Sequence, residues 1–341
     1  MTYRQPNAQV LLNGTPIEKM EATVTQSKTK QSDTFKATTA LSILPADLGL
    51  SFWASTDAVP AQVLISTGSG YTKLFDGMVD AVDIDLAAGT IQFSGRDKAA
   101  DLIDKTSAEK FQNKTPDKIV KEIAGRHGID VDADALSEKA GKIYQIDWNK
   151  ITNRTSEWTV INHIADLHGM VAYITGGKLY FKPLNETLDP FKITYRPPTA
   201  NQPADGNFVR LKIRRNLILT KPVKVSVKSW NHKQKKVISS DKEVGGSGTP
   251  LIYNFNAPGL TQEQADKIAQ KRLDENTSHE NTLEIEVPGD PSMNARRSVE
   301  LSGTNSGFDQ SYEAQSVEHN VSADGGYTMT ISTKAKKKGR K

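Results

Sequence analysis

Apolar and polar residues alternate regularly over residues 76–94, and this alternation predicts a β-hairpin. The apolar residues that share one face of the predicted hairpin are Val82, Ile84, Leu86, Ile91 and Phe93. Asp83 and Asp85 fall on the opposite face, and Ala88 and Gly89 supply the turn. We therefore expect one face of the hairpin to pack against a core and its aspartates to face water.

The hairpin ends in Gly95, Arg96 and Asp97, which precede a short helix-like segment, 98–104. Asp97 is placed as the N-cap of this helix, because an aspartate at that position accepts a free backbone N–H of the first turn. We interpret Gly95, Arg96 and Asp97 as a structural corner at the end of a β-domain, without a catalytic role.

Strand patterns separated by turn residues fill the chain up to this corner. Asn13-Gly14 is a strong signal for a tight hairpin turn. Gly68-Ser69-Gly70 separates two further strands and lacks the rest of a dinucleotide-binding fingerprint, so it is interpreted as a turn. Short strands at this spacing predict a first antiparallel β-domain over 1–97.

Helical periodicity distinguishes residues 98–184 from the strands before them. The residues that mark the starts and ends of two predicted helices are Thr115, Pro116, Gly128, Thr155 or Ser156, and Gly169. Trp158 lies on the apolar stripe of the second helix and is expected in a core. A hairpin with a Gly176-Gly177 turn follows, so this region is predicted to be a small α+β domain.

Residues 185–333 return to strand patterns, interrupted by one helix over 261–277. Thr261 and Gln264 have the spacing of a capping box at the start of that helix. An exposed turn is predicted at Asn231-His232. The neighbouring Trp230 is a candidate partner contact, although core packing is the favoured interpretation.

The charge is unevenly distributed along the chain. The formal net charge is +4, with 44 basic and 40 acidic residues, but 334–341 hold six of the basic residues, which leaves 38 basic and a net −2 elsewhere. Such a terminal run predicts a disordered basic tail. Its candidate contacts with a partner or with DNA are Lys334, Lys336, Lys337 and Lys338.

The sequence carries few signals for chemistry or for export. With no cysteine there is no disulfide framework, and neither a nucleophile elbow nor a phosphate-binding loop is present. We see no signal peptide and no apolar run that approaches the length of a membrane span. The expectation is a soluble protein that is folded in a cytoplasm and does not insert into membranes.

Two sets of residues invite a metal or catalytic interpretation, and neither supports it. Asp130, Asp132, Asp134 and Glu138 resemble a calcium loop but lack its glycine and its final glutamate position. The histidines are dispersed, and His127 and His168 are expected to interact with carbonyls at helix C-termini. We predict no catalytic residue, no cofactor and no metal site.

Four segments in a fixed order resemble the phage late control D family, the baseplate hub (gp27-like) proteins of contractile tails and related injection systems. The segments are GTIQFSGRDKAADLIDKT at 90–106, KTPDKIVKEIAGRHGIDV at 114–131, SEWTVINHIADLHGMVAYITGGKLYF at 156–181, and the helix and strands of 261–332. They extend over nearly the whole chain. The fold class that the resemblance implies is mainly β, with two tube-like antiparallel β-barrels joined by a small α+β domain.

The resemblance also implies a function and a set of partners. Members form a homotrimer whose six barrels make a pseudo-sixfold ring, which connects a tail tube protein to a spike or tail-tip protein. A tape measure protein and transiting DNA are further implied partners, and the location implied is the tail baseplate of a virion assembled in the host cytoplasm. No catalysis is implied.

Two other classes of function compete with a structural hub. A carbohydrate- or receptor-binding tail module would also be rich in β-structure, but it would show clustered exposed aromatic residues, and here they are scattered. A tail-associated peptidoglycan hydrolase would need paired carboxylates or zinc ligands at a recognisable spacing. The resemblance therefore favours the hub.

Overall fold

The computed structural model describes fourteen ranges of the chain. They are 7–18, 20–28, 30–67, 70–107, 111, 114–136, 155–183, 189–217, 221–231, 235–246, 248–256, 259–277, 281–322 and 326–335. In these ranges the protein is mainly β: one sheet contains 14 strands, and three smaller sheets accompany it. The predicted fold class, mainly β with an α+β insertion, is confirmed.

The first seven strands form a barrel-like sheet. They are β1 (Asn7–Leu12), β2 (Thr15–Glu18), β3 (Glu21–Ser27), β4 (Thr34–Ala40), β5 (Pro60–Ser66), β6 (Tyr71–Asp85) and β7 (Thr90–Asp97). Their order in the sheet is β2-β1-β5-β6-β7-β4-β3. Because β2 ends at Glu18 and β3 begins at Glu21, the two end strands lie close together and the sheet curls around one core. The predicted Asn13-Gly14 turn joins β1 to β2.

Two short 3₁₀ segments and one helix lie between β4 and β5 and pack against the core of this barrel. The segments are Leu41–Ile43 and Ala46–Leu48, and the helix is α1 (Leu50–Trp53). The Trp53 ring packs against buried Phe93, with 4.9 Å between ring centroids. An aromatic side chain of this connection thus extends the core of the barrel.

The distal end of the β6–β7 hairpin departs from the prediction. Ile91 and Phe93 are fully buried and Asp83 and Asp85 are exposed, as their alternation predicts. The expectation of a core contact is wrong for Ile84 and Leu86, which are 38% and 71% exposed. β6 is 15 residues long, and its last residues extend beyond the core of their own chain.

The predicted α+β domain follows the corner. Its elements are α2 (Ala99–Asp104), β8 (Thr106–Ser107), α3 (Pro116–Arg126), β9 (Asp130–Ala133), β10 (Thr155–Ser156), α4 (Glu157–His168), β11 (Met170–Thr175) and β12 (Lys178–Pro183). A three-stranded sheet of order β11-β12-β9 packs against α3 and α4, and Trp158 is buried between them. The Ser156 hydroxyl caps α4 by accepting the Thr159 N–H at 3.2 Å, and Gly169 ends the helix in the left-handed conformation.

Seven strands near the C-terminus form a second barrel-like sheet. They are β13 (Phe191–Arg196), β14 (Asp205–Gly206), β15 (Arg210–Arg215), β19 (Asn281–Pro288), β20 (Ser298–Ser302), β21 (Ser311–Ser322) and β22 (Gly326–Ala335). Their order is β14-β13-β20-β21-β22-β19-β15. β13 and β20 pair in parallel. The prediction that this barrel is antiparallel throughout is therefore wrong.

The second barrel repeats the plan of the first. Both chain order and sheet order match strand for strand: β13, β14, β15, β19, β20, β21 and β22 take the places of β1 to β7. The exception is direction, because β1 and β5 are antiparallel whereas β13 and β20 are parallel. This repeat was not detected in the sequence.

A second α+β unit is inserted between β15 and β19, where we had predicted strands of the barrel and a single helix. It consists of β16 (Val223–Asn231), β17 (Lys236–Val244), β18 (Leu251–Asn256) and α5 (Gln262–Thr277). The sheet has the order β17-β16-β18, and α5 packs on one of its faces. The predicted capping box is present: Gln264 N–H donates to the Thr261 hydroxyl at 3.3 Å, and Thr261 N–H donates to the Gln264 side chain at 3.0 Å.

The end of β22 corrects the predicted tail boundary. Lys334 and Ala335 pair with Glu313 and Tyr312 of β21, and Ala335 is buried. The segment expected to be a disordered tail therefore begins no earlier than Lys336. Residues 336–341, with Lys336, Lys337 and Lys338, lie outside the described residues.

Two truncations should separate the strand from the residues after it. Removing 336–341 is expected to leave the thermal midpoint within about 2 °C of the full chain, because no strand pair of β22 is lost. Removing 334–341 also deletes a buried alanine and two strand pairs, and should lower the free energy of unfolding by about 1–2 kcal/mol. Urea unfolding of both proteins measures the difference, and equal stability of the two truncations would contradict it.

Candidate functional site: a polar sheet face shared by both barrels

The two barrels are fused by direct strand pairing. Residues 316–321 of β21 pair antiparallel with residues 22–27 of β3. The pairing produces a run of eight strands in the order β6-β7-β4-β3-β21-β22-β19-β15, and each neighbouring pair in it is antiparallel. Half of the run belongs to each barrel.

One face of this run is buried in the two barrel cores and the other is polar. Residues that stand opposite each other on paired strands point to the same side, so the register defines each face. One row of the polar face contains Arg96, Thr34, Thr25, Glu318, Thr330, Glu286 and Arg210. Threonine suits such positions, because its branched side chain favours strands and its hydroxyl remains hydrated.

Charges on the polar face are mixed in sign. On β15, Arg210 lies 3.7 Å from Glu286, and Lys212 lies 3.7 Å from Glu284. Exposed pairs of this kind add little stability, but they prevent either sign of charge from dominating the face. The face is therefore hydrated without forming a strongly basic or acidic surface.

The predicted corner lies at the border of this face and the α+β domain. Arg96 donates to both oxygens of Asp80, at 2.6 and 3.2 Å, and to both oxygens of Asp104, at 3.1 and 2.9 Å. These bonds raise the pKa of Arg96 and lower that of Asp104. Arg96 thus ties the long strand β6 to helix α2, with the fork geometry that favours arginine.

We expect Arg96→Lys to weaken this corner. A lysine ammonium cannot bond both carboxylates in a planar fork, so the free energy of unfolding should fall by about 1 kcal/mol in low salt. Urea unfolding with and without 1 M NaCl measures the effect, which should shrink in salt. The same substitution at exposed Arg196, which has one 3.3 Å contact to Asp205, is the matched control. An equal loss at both positions would argue against a special role for Arg96.

The glycine of the corner is required by close backbone packing. A Cβ added at Gly95 would lie 1.9 Å from the carbonyl oxygen of Met78 and 2.7 Å from the Phe35 ring. Real side chains do not tolerate either contact. β6 and β7 can therefore approach each other only with glycine at this position.

Asp97 and Asp33 form a buried acidic pair that sequence reasoning missed. Asp97 is 6% exposed and Asp33 is 8% exposed, and the Asp97 N–H donates to the Asp33 carbonyl at 2.9 Å. Burial, and then the Asp33 charge, raise the pKa of Asp97 to about 8. Burial raises the pKa of Asp33 to about 6, against the hydrogen bond from the Ser27 N–H. Nothing in the spacing of these residues indicates their burial.

The capping role predicted for Asp97 is only partly correct. Its Oδ1 accepts the Ala99 N–H at 3.0 Å, but Lys98 occupies the N-cap position and α2 begins at Ala99. The carboxyl group therefore fixes the turn into the helix from one residue further upstream.

Charged side chains also connect the other domains. Asp166 of α4 pairs with Lys271 of α5, and it lies 3.3 Å from Lys30, which follows β3. Burial opposes the ionisation of Asp166, but the two lysines outweigh it and hold its pKa below the usual range. Lys334 lies 3.8 Å from Glu313 in the second barrel, and burial lowers its pKa against that attraction. Lys334 is thus part of the paired strand β22 and not of a free tail.

Trp230 is exposed, contrary to the favoured prediction of core packing. It is 45% exposed on the outer face of the inserted sheet, directly opposite Val237, which is 62% exposed. Its candidate role as a partner contact stays a prediction. His232 of the predicted turn lies outside the described residues.

Two of the suspected metal and histidine residues, His127 and Asp132, lie in contacts with other charged side chains. His127 Nε2 lies 2.6 Å from buried Glu157 Oε2. The partner of this imidazole is therefore a carboxylate, whereas the prediction was a carbonyl at the end of a helix. Asp132 pairs with Lys182 at 3.0 Å, and Glu138 lies outside the described residues. In the described part of the chain no cluster of His, Asp and Glu side chains could hold a metal ion. No helix there is long and apolar enough to cross a membrane.

These features define a class of protein: a chain of two repeated barrels whose fused sheet exposes one broad polar face. The family model for the phage tail baseplate hub (GPD) matches residues 32–325, and the chain belongs to this family. A comparison with curated proteins gives no match.

Solved structures share the fold over nearly the whole chain. A tail protein from Neisseria meningitidis MC58 is 15% identical with a TM-score of 0.77, and the match covers 97% of each chain. The 43 kDa tail protein of prophage MuSo2 from Shewanella oneidensis is 18% identical with a TM-score of 0.70, over 96% of this chain and 98% of that one. A type VI secretion component of E. coli, described as similar to the T4 tail proteins gp27 and gp5, is 10% identical with a TM-score of 0.53, over 98% and 76%.

Proposed function

We propose that this hub protein is a structural adaptor: a homotrimer that connects a sixfold tail tube to a threefold spike or tail-tip protein. The observation that carries the proposal is the repeated seven-strand order of the two barrels. Three copies of a two-barrel chain present six similar units around one axis. A threefold assembly can thereby offer a nearly sixfold surface to the tube and a threefold surface to the spike.

The eight-strand run gives the proposed ring a wall. Three copies supply 24 antiparallel strands, which at about 4.8 Å per strand span roughly 115 Å around the ring. With the usual tilt of barrel strands, the backbone wall would be about 45–50 Å across. Such a ring leaves an aqueous channel that is wide enough for double-stranded DNA or for an extended tape measure protein.

The polar face is suited to line that channel. Its threonines and serines hold water, and its paired charges give no strong attraction for a polyanion. A channel lining that bound DNA tightly would retard its passage. We therefore assign the polar face to the channel and the outer insertions to contacts with other baseplate proteins.

The proposed role is mechanical, with no catalytic step. The buried carboxyl groups that resemble catalytic acids, Asp33 and Asp97, bond to backbone groups at a domain junction. These backbone contacts give both acids a structural role. A peptidoglycan turbidity assay provides the direct test, and lysis by the purified protein would contradict the proposal.

The oligomeric state tests the adaptor proposal. Size-exclusion chromatography with light scattering should give three times the 37.4 kDa chain mass at micromolar concentration. A strict monomer, both alone and mixed with its tail tube and spike proteins, would overturn the trimer. A dimer would overturn it as well, since two chains cannot present a nearly sixfold surface.

A further inference from the structure

Two strand edges have no paired strand at opposite ends of the eight-strand run, within the part of the chain that the structure describes. One is the distal part of β6: β5 pairs with β6 only over 71–78, which leaves 80–85 open on that side. The other is β15, which pairs with β19 alone. Open edges of this length are templates for pairing with another chain.

The repeat of the two barrels shows which kind of strand can pair with each open edge. β21 is the equivalent of β6, and it pairs with β20 near its start and with β3 further along. Both long strands have a register shift at corresponding places, between Val79 and Ala81 in β6 and between Ala314 and Ser316 in β21. The open part of β6 therefore corresponds to the part of β21 that receives β3. The equivalent of β3 in the second barrel is β15.

We infer that β15 of one chain pairs antiparallel with the distal part of β6 of a second copy, in the register with which β3 pairs with β21. This rests on the proposed homotrimer and specifies its contact. The known pairs Glu318–Thr25, Asn320–Thr23, His319–Val24 and Val321–Ala22 provide the template. Transferred through the repeat, they give Asp83 with Arg214, Asp85 with Lys212, Ile84 with Ile213, and Leu86 with Leu211.

The transferred pairs are complementary on both faces. On the polar face each aspartate meets a basic residue of the partner, and opposite charges across strands are favourable. On the other face Ile84, otherwise 38% exposed, meets Ile213, and Leu86, otherwise 71% exposed, meets Leu211. The contact thus accounts for the apolar hairpin tip that extends beyond its own core.

Strand direction is also compatible with a closed ring. Directions alternate through all eight strands, so β6 and β15 of one chain run in opposite directions. A second copy placed beside β15 by rotation continues the alternation. This is a head-to-tail contact between two different surfaces, and three such contacts close a ring.

Cysteine cross-linking tests the register, because the chain has no native cysteine. The double variant Asp85→Cys with Lys212→Cys should give a covalent trimer on a denaturing gel after mild oxidation. Each single variant should give none. The double variant Asp85→Cys with Lys192→Cys, whose second cysteine lies in a strand away from the inferred contact, is the matched control.

Charge exchange provides a second measurement. Asp83→Arg and Arg214→Asp should each weaken trimer formation at least tenfold, and the double variant should restore it. Trimers that form without the 85–212 cross-link and without sensitivity to these charges would overturn the inferred contact while leaving the adaptor proposal intact. A wild-type chain that stays monomeric would overturn both.

Discussion

Replacing Gly95 with alanine is expected to destabilise the first barrel by about 3–5 kcal/mol, enough to prevent much of the protein from folding. The added Cβ would lie 1.9 Å from the Met78 carbonyl oxygen, and that atom belongs to a paired strand that cannot move without breaking the β6–β7 ladder. Relief would require separating these strands at the corner where Arg96 holds them. Urea unfolding followed by circular dichroism measures the loss.

A matched substitution should have the opposite sign. Gly125 lies inside α3, and a Cβ added there has no atom within 4 Å. Gly125→Ala should therefore raise the free energy of unfolding by about 0.5 kcal/mol, because alanine favours the helical conformation over glycine also in the last turn. If Gly95→Ala were as stable as the wild type, the close approach of the two strands at the corner would be wrong.

Asp97→Asn is expected to stabilise the protein, and increasingly so as the pH rises. The pKa of Asp97 is about 8 in the folded protein, against 3.8 as the ordinary value, so the folded state holds a proton that the unfolded state has released. Between these two values the wild type loses stability as the pH rises, by up to about 1.4 kcal/mol per pH unit. Asparagine keeps an oxygen for the Ala99 N–H and never ionises.

The gain from Asp97→Asn should be small at pH 4 and at least about 2 kcal/mol at pH 8. Chemical unfolding of both proteins at several pH values measures it. Asp57→Asn, at an exposed loop position of the same barrel, is the control and should change stability by less than about 0.5 kcal/mol at each pH. A gain that did not depend on pH would contradict the raised pKa.

Local signals in the sequence were sufficient for many elements. Gly169 and the Thr261–Gln264 box act within a few residues of where they stand, so the sequence predicts their roles, and Ser156 is one of the two caps that it offers for α4. The Asn13-Gly14 turn is of the same kind, since both residues adopt positive φ, at 51° and 81°. Short-range interactions can be predicted from the sequence because they depend on few neighbouring residues.

Contacts between distant segments could not be predicted from the sequence. The repeat of the barrels was missed because residues 216–280 separate β15 from β19, whereas only the short segment 28–33 separates the equivalent strands of the first barrel. The burial of Asp33 and Asp97 depends on two strands and a helix meeting at one point. No pattern within either segment predicts that these elements come together.

Alternation predicts which residues share a face but not what covers that face. Ile84 and Leu86 follow the same alternation as Ile91 and Phe93, yet only the second pair is buried in the chain itself. The periodicity was correct, and the assumption that a core of the same chain covers every apolar face was wrong. In a subunit of an assembly, some apolar positions are reserved for a neighbour.

Cryo-electron microscopy of the purified hub tests the proposed ring most directly. We predict a threefold ring whose inner wall is a continuous barrel of 24 strands, with β15 of each chain beside β6 of the next and the polar face toward the channel. A ring in which the polar face points outward, or in which these two edges face solvent, would contradict the proposed arrangement.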